Sequence, residues 1–131
     1  MEIKKKEFKY KGKTTEELKA LDVREFAKHL TARSRRTVLR QFHEIEKFVN
    51  RSKVKQSKNK PIKTHYRNFV VVPEMIGMKI HIYNGRNFIP VQISGEMLGH
   101  KLGEFAPTRA RIKHSKAGVG ATKGTKHKAK K

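Results

Sequence analysis

Three ionisable side chains, Glu96, His100 and Glu104, follow one another at intervals of four residues. Residues spaced by four share a helix face, so the spacing could present two carboxylates and an imidazole as a metal site or acid–base group. The same stretch contains Gly99 and Gly103, and each glycine weakens a helix by about 1 kcal/mol relative to alanine. No second pair of ligands and no nucleophile stands nearby in the sequence. We therefore interpret His100 as a packing or phosphate-contact residue, and predict no catalytic residue, metal site or cofactor.

Other familiar reactive or ligand-binding patterns are also missing from the sequence. The seven histidines lack zinc-finger spacing, and the chain has no cysteine, which excludes disulfides and thiolate metal ligands. The glycines at residues 118 and 120 are not preceded by an apolar strand or followed by a helix, so they do not form a dinucleotide-binding loop.

The distribution of charge is the feature that points to a partner. The 33 Lys and Arg residues against 11 Asp and Glu residues give a net charge of +22. Residues 1–68 carry +13, residues 69–107 are neutral, and residues 108–131 carry +9 without one acidic residue. Self-repulsion of this size destabilises a compact state unless a counter-charge binds. The sequence therefore predicts a neutral folded unit between basic arms that meet a polyanion.

Nucleic acid, an anionic membrane or an acidic protein could supply that counter-charge. The longest strongly apolar run, residues 69–72, is far too short to cross a membrane, and the N-terminus lacks the apolar stretch of a secretory signal. A membrane-surface protein would place its charge on one amphipathic helix, whereas here the charge is spread over helix, linker and tail. The spread favours binding along a phosphate backbone, and we expect no membrane partner.

The elements that must position the basic residues begin with helices. Thr14 and Glu17 have the spacing of a capping box, and Asp22 starts a second short helix with its own apolar stripe. A longer helix is predicted over residues 35–50, because apolar residues recur there with a 3.6-residue period: Val38, Phe42, Ile45 and Val49, widened by Leu39 and Phe48.

Arg35, Arg36 and Arg40 fall in the first turns of this longer helix, and Glu44 and Glu46 come later. That order opposes the helix dipole, which favours acidic residues near the N-terminus. Two interpretations remain open: the arginines bind an external anion, or they form a solvated cluster.

The neutral unit is typical of β-structure. Residues 69–72 are apolar at every position, which predicts a strand covered on both faces and ended by Pro73. Residues 79–83 alternate in polarity and should return through a two-residue type I′ turn at Asn84 and Gly85, pairing Ile80 with Ile89.

Two further expectations follow from that register. Pro90 would face Lys79 without an N–H to donate, which predicts a bulge or a break in the ladder. A short helix capped by Ser94 should come next, where Gly99 and Gly103 could allow close approach to a partner.

The overall prediction is an α+β fold: N-terminal helices near a small three-stranded sheet, then a short helix and an extended basic tail. Residues 1–63 form a helical extension and basic linker, residues 64–107 the α+β core, and residues 108–131 a tail disordered when free. Residues 51–63, rich in lysine, are likewise expected to lack structure, since they cannot bury enough apolar surface.

Side chains suited to irregular RNA cluster at the edges of these elements. Fork-like guanidinium donors and stacking aromatic rings suit exposed bases and folded backbones. For Tyr66, core packing is the open alternative to RNA contact. From the residues alone, the candidate RNA-binding residues are Arg35, Arg36, Arg40, Tyr66, Arg67, Asn84, Gly85, Arg86, Arg109, Arg111, Lys113 and His114.

Three stretches resemble one known family. Residues 72–77 (VPEMIG), 83–86 (YNGR) and 96–109 (EMLGHKLGEFAPTR) closely resemble the universal small-subunit ribosomal protein S19 family. The resemblance runs from Thr64 to about His114, and residues 8–12 (FKYKG) look like the archaeal and eukaryotic branch.

The resemblance implies a non-enzymatic constituent of the small ribosomal subunit that acts in translation. It would bind small-subunit ribosomal RNA in the head, beside ribosomal protein S13, with its tail near the decoding region and A-site transfer RNA. Its location would be the cytoplasmic ribosome. Carried over by position, the RNA-facing residues are Asn84, Gly85, Arg86, His100, Lys101, Thr108, Arg109, Arg111 and His114, with Lys79 and Arg67 as weaker candidates.

Two other functions stay open from the residues alone. One is an architectural protein that compacts DNA, which would bind duplex DNA as tightly as folded RNA. The other is a small nuclease or RNA-modifying enzyme that uses His100 and Glu104.

Overall fold

The structure of the protein is a computed structural model, which describes residues 7–111, 118 and 123–127. It is an α+β fold, as predicted. Within the described residues, the α-helices are α1 (Thr15–Lys19), α2 (Val23–Ala27), α3 (Ala32–Arg40) and α4 (Phe42–Ser57). The strands there are β1 (Lys9–Tyr10), β2 (Lys13–Thr14), β3 (Ile62–Thr64), β4 (Lys79–Tyr83) and β5 (Phe88–Gln92).

The first two helices begin where the sequence predicts. Thr14 accepts from the backbone N–H of Glu17, and the Glu17 carboxylate accepts from the backbone N–H of Thr14, which completes the capping box. Asp22 occupies the N-cap position of α2, but its side chain makes no capping hydrogen bond. Val23, Phe26 and Ala27 are buried in α2, and Leu30 is buried just beyond its end, so the burial expected of the apolar stripe is confirmed although the helix is shorter.

The longer helix predicted over residues 35–50 is wrong in two respects: the helix is interrupted at Gln41, and α3 and α4 together extend from Ala32 to Ser57. Neither proline nor glycine marks the break, and Gln41 leaves helical geometry at φ −104° and ψ 18°. The break lets α3 pack on α2 while α4 reaches β3. Val38 and Ile45 are fully buried on either side of it, whereas Leu39 is 51% exposed and does not widen the stripe.

The prediction that residues 51–63 lack structure is wrong. Helix α4 continues to Ser57, and β3 begins at Ile62. The stretch gains order from one buried edge: Ser52 lies inside with its hydroxyl donating to the Phe48 carbonyl, and the lysines point outward. The lysine-rich composition did not indicate the order of this stretch, because tertiary packing supplies most of a helix's stability and composition does not reveal packing.

The main sheet has the order β3-β4-β5, with β3 parallel to β4 and β4 antiparallel to β5. The sheet is three-stranded as predicted, but Ile62–Thr64 is its third strand. Residues 69–72 are fully buried, which confirms their predicted burial, yet they form only an isolated bridge between Val70 and Lys101. Their partner segment holds Gly99 at a φ of 79°, which interrupts a regular ladder.

The β4–β5 hairpin is present, but its predicted turn is wrong. Ile80 pairs with Val91 and Ile82 pairs with Ile89, so the register is shifted by two residues and residues 84–87 form the loop. Gly85 has a φ of 97°, whereas Asn84 does not take the positive φ of a type I′ turn. An even shift keeps each side chain on its face, so the predicted alternation of buried Ile80 and Ile82 is confirmed.

The shifted register also accommodates Pro90 without the predicted bulge. Pro90 lies opposite His81 in an unbroken ladder on the edge strand β5. Backbone bonds from Asn84 N–H to Asn87 O and from Ile93 N–H to Met78 O bracket the ladder, and bonded pairs alternate between them. The alternation puts Pro90 at a position that needs no donor.

The single helix predicted after Ser94 is two 3₁₀ turns, Gly95–Met97 and Leu102–Phe105. Gly99 between them packs where a side chain could not, because an added Cβ would lie 2.9 Å from the Tyr10 hydroxyl oxygen. A Cβ on Gly95 would lie 2.7 Å from the Phe8 ring. These close approaches are made within the chain, to the N-terminal β1–β2 hairpin.

One hydrophobic core joins the helices to the sheet, from Leu18 in α1 to Ala106. Burial in this contact region raises the pKa of the Tyr10 phenol. None of the helices in the described part of the chain has the length and apolarity that a membrane crossing requires.

Candidate nucleic-acid interface

The side chains of Glu96, His100 and Glu104, which could have shared a helix face, do not assemble. Glu96 lies on the first 3₁₀ turn, whereas the His100 Nδ1 atom lies 2.8 Å from the Glu104 Oε2 atom on the surface. The His100 ring also meets Phe105 edge-on. Across the described residues, no group of three His, Cys, Asp or Glu side chains could hold a metal ion.

Arg67 connects three parts of the core through its guanidinium group. Its Nη1 donates to the Tyr83 carbonyl at 2.7 Å, and its Nη2 donates to the carbonyls of Gly103 and Ala106 at 2.8 and 2.7 Å. An added Cβ on Gly103 would lie 3.0 Å from the backbone oxygen of Arg67, so the glycine lets the two segments meet. Arg67 therefore fastens the end of β4 to the chain before the tail.

Arg35 has a similar inward role. Its Nε donates to the Ala27 carbonyl at 3.2 Å, and its Nη2 donates to the carbonyls of Lys28 and Leu30. These carbonyls end α2, where a cation is favourable. Arg35 lies near the N-terminus of α3, where the α3 dipole disfavours a cation. Its hydrogen bonds to the carbonyls at the end of α2 explain that position.

The other arginines of α3 point outward. Arg33, Arg36 and Arg40 are exposed, and no hydrogen bond or ion pair within residues 7–111 engages their guanidinium groups. Arg36 and Arg40 also border Leu39 in a shallow depression. These guanidinium groups are therefore able to bind an external anion, which is the first of the two interpretations of the arginine cluster.

The hairpin tip is ordered by its own polar groups. Asn84 Oδ1 accepts from the backbone N–H groups of Arg86 at 2.9 Å and Asn87 at 2.7 Å, and the Tyr83 hydroxyl donates to the Gly85 carbonyl. The amides of Arg86 and Asn87 are therefore occupied. The exposed Arg86 side chain remains available to a partner.

Tyr66 has one covered and one open ring face. It stacks on Phe69 with ring centroids 4.5 Å apart and planes 8° from parallel, yet 52% of the residue is exposed. Phe69 is fully buried and is held edge-on by Phe48. Tyr66 therefore combines core packing with a rigid surface on which a base could stack.

Two cavities collect further basic groups. Lys79 lines one of about 390 Å³ with Lys60 and His81, beside the end of α4. Arg40 and Lys101, both predicted from the sequence, line a second of about 230 Å³. Asn68 also lines this second cavity, together with three side chains that the sequence reasoning missed: Arg33, Thr37 and Gln41.

The missed residues had a signal in the sequence. Arg33, Thr37, Arg40 and Gln41 follow the spacing of one helix face, but the predicted helix began too late to include Arg33. Gln41 Oε1 is buried and finds no hydrogen-bond donor. Such an unsatisfied acceptor costs about 1–3 kcal/mol, which a bound donor would recover.

The start of the tail is exposed at Thr108, Arg109 and Arg111. The predicted contacts Lys113 and His114 lie outside the described residues. The described side chains form only two ion pairs, Lys53 with Glu74 and His100 with Glu104. Most of the positive charge described here is thus uncompensated by the protein itself.

Comparison with protein families matches residues 32–114 to the family described as Ribosomal protein S19. The chain belongs to the ribosomal protein S19 family. S19 is a ribosomal protein of the small subunit, so the chain is an RNA-binding component of a ribonucleoprotein that acts in translation. Its family is structural, its location is the ribosome, and its partners are ribosomal RNA and ribosomal proteins.

The matched range in this S19 chain begins with α3 and includes the sheet, both 3₁₀ turns and the first tail residues. The β1–β2 hairpin, α1 and α2 precede it. They are still integral to the fold, because Leu18 and Phe26 belong to the same core as Leu102.

Proposed function

We propose that this S19 protein is a structural, non-enzymatic constituent of the small-subunit head that binds small-subunit ribosomal RNA directly. The observation that carries the proposal is the set of exposed, unpaired arginines on α3, at the hairpin tip and at the start of the tail. In a member of a ribosomal family, uncompensated cations of this kind are suited to phosphate groups.

The RNA-binding surface combines electrostatic attraction with rigid shape. Arg36 and Arg40 attract phosphates from α3, while Arg86 stands on a tip whose turn is already fixed. Tyr66 offers its open ring face to an unpaired base. Arg35 and Arg67 act mainly inside the protein and hold this surface in place.

The tail supplies the second part of the proposal. Residues 108–131 carry nine basic residues and no acidic one, so they suit a path between RNA segments. Their proposed surroundings are the decoding region and A-site transfer RNA, with ribosomal protein S13 beside the core. The β1–β2 hairpin and the first two helices, which precede the matched range, support assignment to the archaeal and eukaryotic type.

Binding of the full chain to small-subunit ribosomal RNA over a range of salt concentrations tests the proposal. Each phosphate contact should remove about 0.7–0.9 log units of affinity per tenfold rise in salt. A flat salt response, or equal affinity for duplex DNA at physiological salt, would contradict direct recognition of folded ribosomal RNA. RNA turnover abolished by the His100→Ala substitution would contradict the non-enzymatic assignment.

Chemical footprinting of the reconstituted small subunit tests the position. We expect protection of head RNA by the full chain, and loss of only the decoding-region protections when residues 118–131 are removed. Unchanged protection after the truncation would contradict the proposed tail position.

A further inference from the structure

The cavity of about 230 Å³ between α3 and the chain around Asn68 and Lys101 has no assigned ligand. We propose that it holds one ribose–phosphate unit of an RNA strand, with the phosphate on its cations and the 2′-hydroxyl on the Gln41 amide. This inference rests on the proposed RNA binding and adds the chemical group that the cavity recognises.

The charge of the lining selects an anion. Arg33, Arg40 and Lys101 contribute three cationic side chains, and the lining contains no acidic residue. A guanidinium group presents a planar fork of donors that matches two phosphate oxygens, so the two arginines can hold one phosphate from α3. Lys101 is held beside them by the backbone bridge to Val70.

The size of the cavity selects part of a nucleotide. Pockets for whole small molecules span roughly 300–1,000 Å³, and this one is smaller, at about 230 Å³. A single sugar with its phosphate suits the space better than a complete nucleotide with its base enclosed. The base would then project from the cavity, as it does along a continuous strand.

Gln41 selects a ligand that also donates a hydrogen bond. Its Oε1 is buried without a donor, although the residue lines the cavity. The terminal torsion of glutamine is broad and roughly two-fold, so a rotation of the amide can present the oxygen to the ligand. An ionised phosphodiester has no hydrogen to donate, whereas the ribose 2′-hydroxyl both donates and accepts.

Two neutral neighbours complete the lining. The Thr37 hydroxyl donates to the Arg33 carbonyl at 3.1 Å, which leaves its oxygen free to accept. Asn68 is exposed and offers both a donor and an acceptor. Together with Gln41 they add neutral donors and acceptors beside the cations, and these groups can bond to a sugar attached to the phosphate.

The test uses acylation of RNA 2′-hydroxyls, with the full chain bound to small-subunit ribosomal RNA. We compare the native protein with Gln41→Met, which keeps the length of the side chain and removes the amide. Gln56→Met is the matched control, since Gln56 is exposed on α4 and lines a different cavity. Thermal unfolding of all three proteins establishes that each is folded.

We expect Gln41→Met to restore acylation at one or two nucleotides within the footprint, while the rest of the footprint persists. Affinity should fall by about fivefold, as for the loss of one hydrogen bond. Gln56→Met should reproduce the native footprint. An identical footprint for Gln41→Met would overturn the inference without touching the proposed function, whereas no protection by the native protein would overturn both.

A second measurement leaves the protein unaltered. RNA fragments of the protected region, each with one 2′-deoxy substitution, are bound to the native chain. We expect one position to show a fivefold loss of affinity, absent at the neighbouring positions. Equal affinity for every deoxy fragment would overturn the 2′-hydroxyl assignment.

Discussion

Helix α3 and the β4–β5 hairpin both carry residues predicted to bind RNA, but they use their polar groups in opposite ways. On α3, Arg36 and Arg40 make no bond within the described residues, and their helix needs none from them. At the hairpin, Asn84 and the Arg67 guanidinium are committed to backbone groups. Helix α3 thus offers RNA unpaired positive charge. The hairpin instead offers a backbone conformation that its own hydrogen bonds fix before RNA binds.

The largest expected effect is a loss of stability when the Arg67 side chain is removed. Arg67→Ala removes hydrogen bonds to three carbonyls and leaves partly buried acceptors unsatisfied, so we expect a loss of about 3 kcal/mol in the free energy of unfolding. Urea unfolding measures it. Arg40→Ala removes the same side chain from α3 and should change stability by less than about 0.5 kcal/mol. Equal losses of unfolding free energy in Arg67→Ala and Arg40→Ala would contradict the distinction between a structural arginine at the hairpin and an unpaired one on α3.

The reverse experiment removes charge from α3. The combined variant Arg33→Gln, Arg36→Gln and Arg40→Gln should lose about 100-fold in RNA affinity near 0.15 M salt, because three phosphate contacts disappear. Its unfolding temperature should stay unchanged. The control variant Lys47→Gln, Arg51→Gln and Lys58→Gln removes equal charge from α4 and its C-cap residue. An equal loss in that control would mean that net charge, and not the position of α3, decides binding.

Tyr66 lies between these extremes, since it is packed on one face and open on the other. Tyr66→Ala should weaken RNA binding by about tenfold, the contribution of one stacked base. Tyr66→Phe keeps the ring and should bind like the native protein. Fluorescence titration with small-subunit ribosomal RNA measures both affinities. Native affinity in Tyr66→Ala would leave the ring with a packing role alone.

The smallest effect is expected at the hairpin tip. Asn84→Ala frees the amides of Arg86 and Asn87, which water can reach, so we expect a loss of about 1 kcal/mol in stability. Asn84→Asp retains the acceptor and should recover most of it. Urea midpoints provide the measurement. If the loss in free energy of RNA binding exceeds the loss in free energy of unfolding, Asn84 also contacts RNA directly.

Local patterns in the sequence predicted the features that depend on neighbours. The capping box at Thr14 and Glu17 and the alternation at Ile80 and Ile82 are confirmed because they depend on short spacings. The turn length at Asn84 was wrong by two residues, yet the faces survived because the shift was even. Local chemistry therefore predicted which side chains are buried better than which backbone atoms pair.

Contacts between distant segments were beyond the same reasoning. The carbonyl partners of Arg67 come from residues 83, 103 and 106, and nothing in the sequence near Arg67 indicates them. No proline or glycine indicates the interruption between α3 and α4 at Gln41. The cavity beside Gln41 was missed for the same reason, since it forms only when α3 meets Asn68 and Lys101.

The shared core has a consequence for the order in which the chain can mature. Leu18 and Phe26 pack in one core with Leu102 and Ala106, although more than eighty residues separate Leu18 from Ala106. Helix α2 can pack on α3 early, but at synthesis rates of about 5–20 residues per second Ala106 follows Leu18 by roughly 4–18 seconds. Until then the part of the core that Leu102 and Ala106 supply is missing, so the complete core forms only after residue 106 has been made.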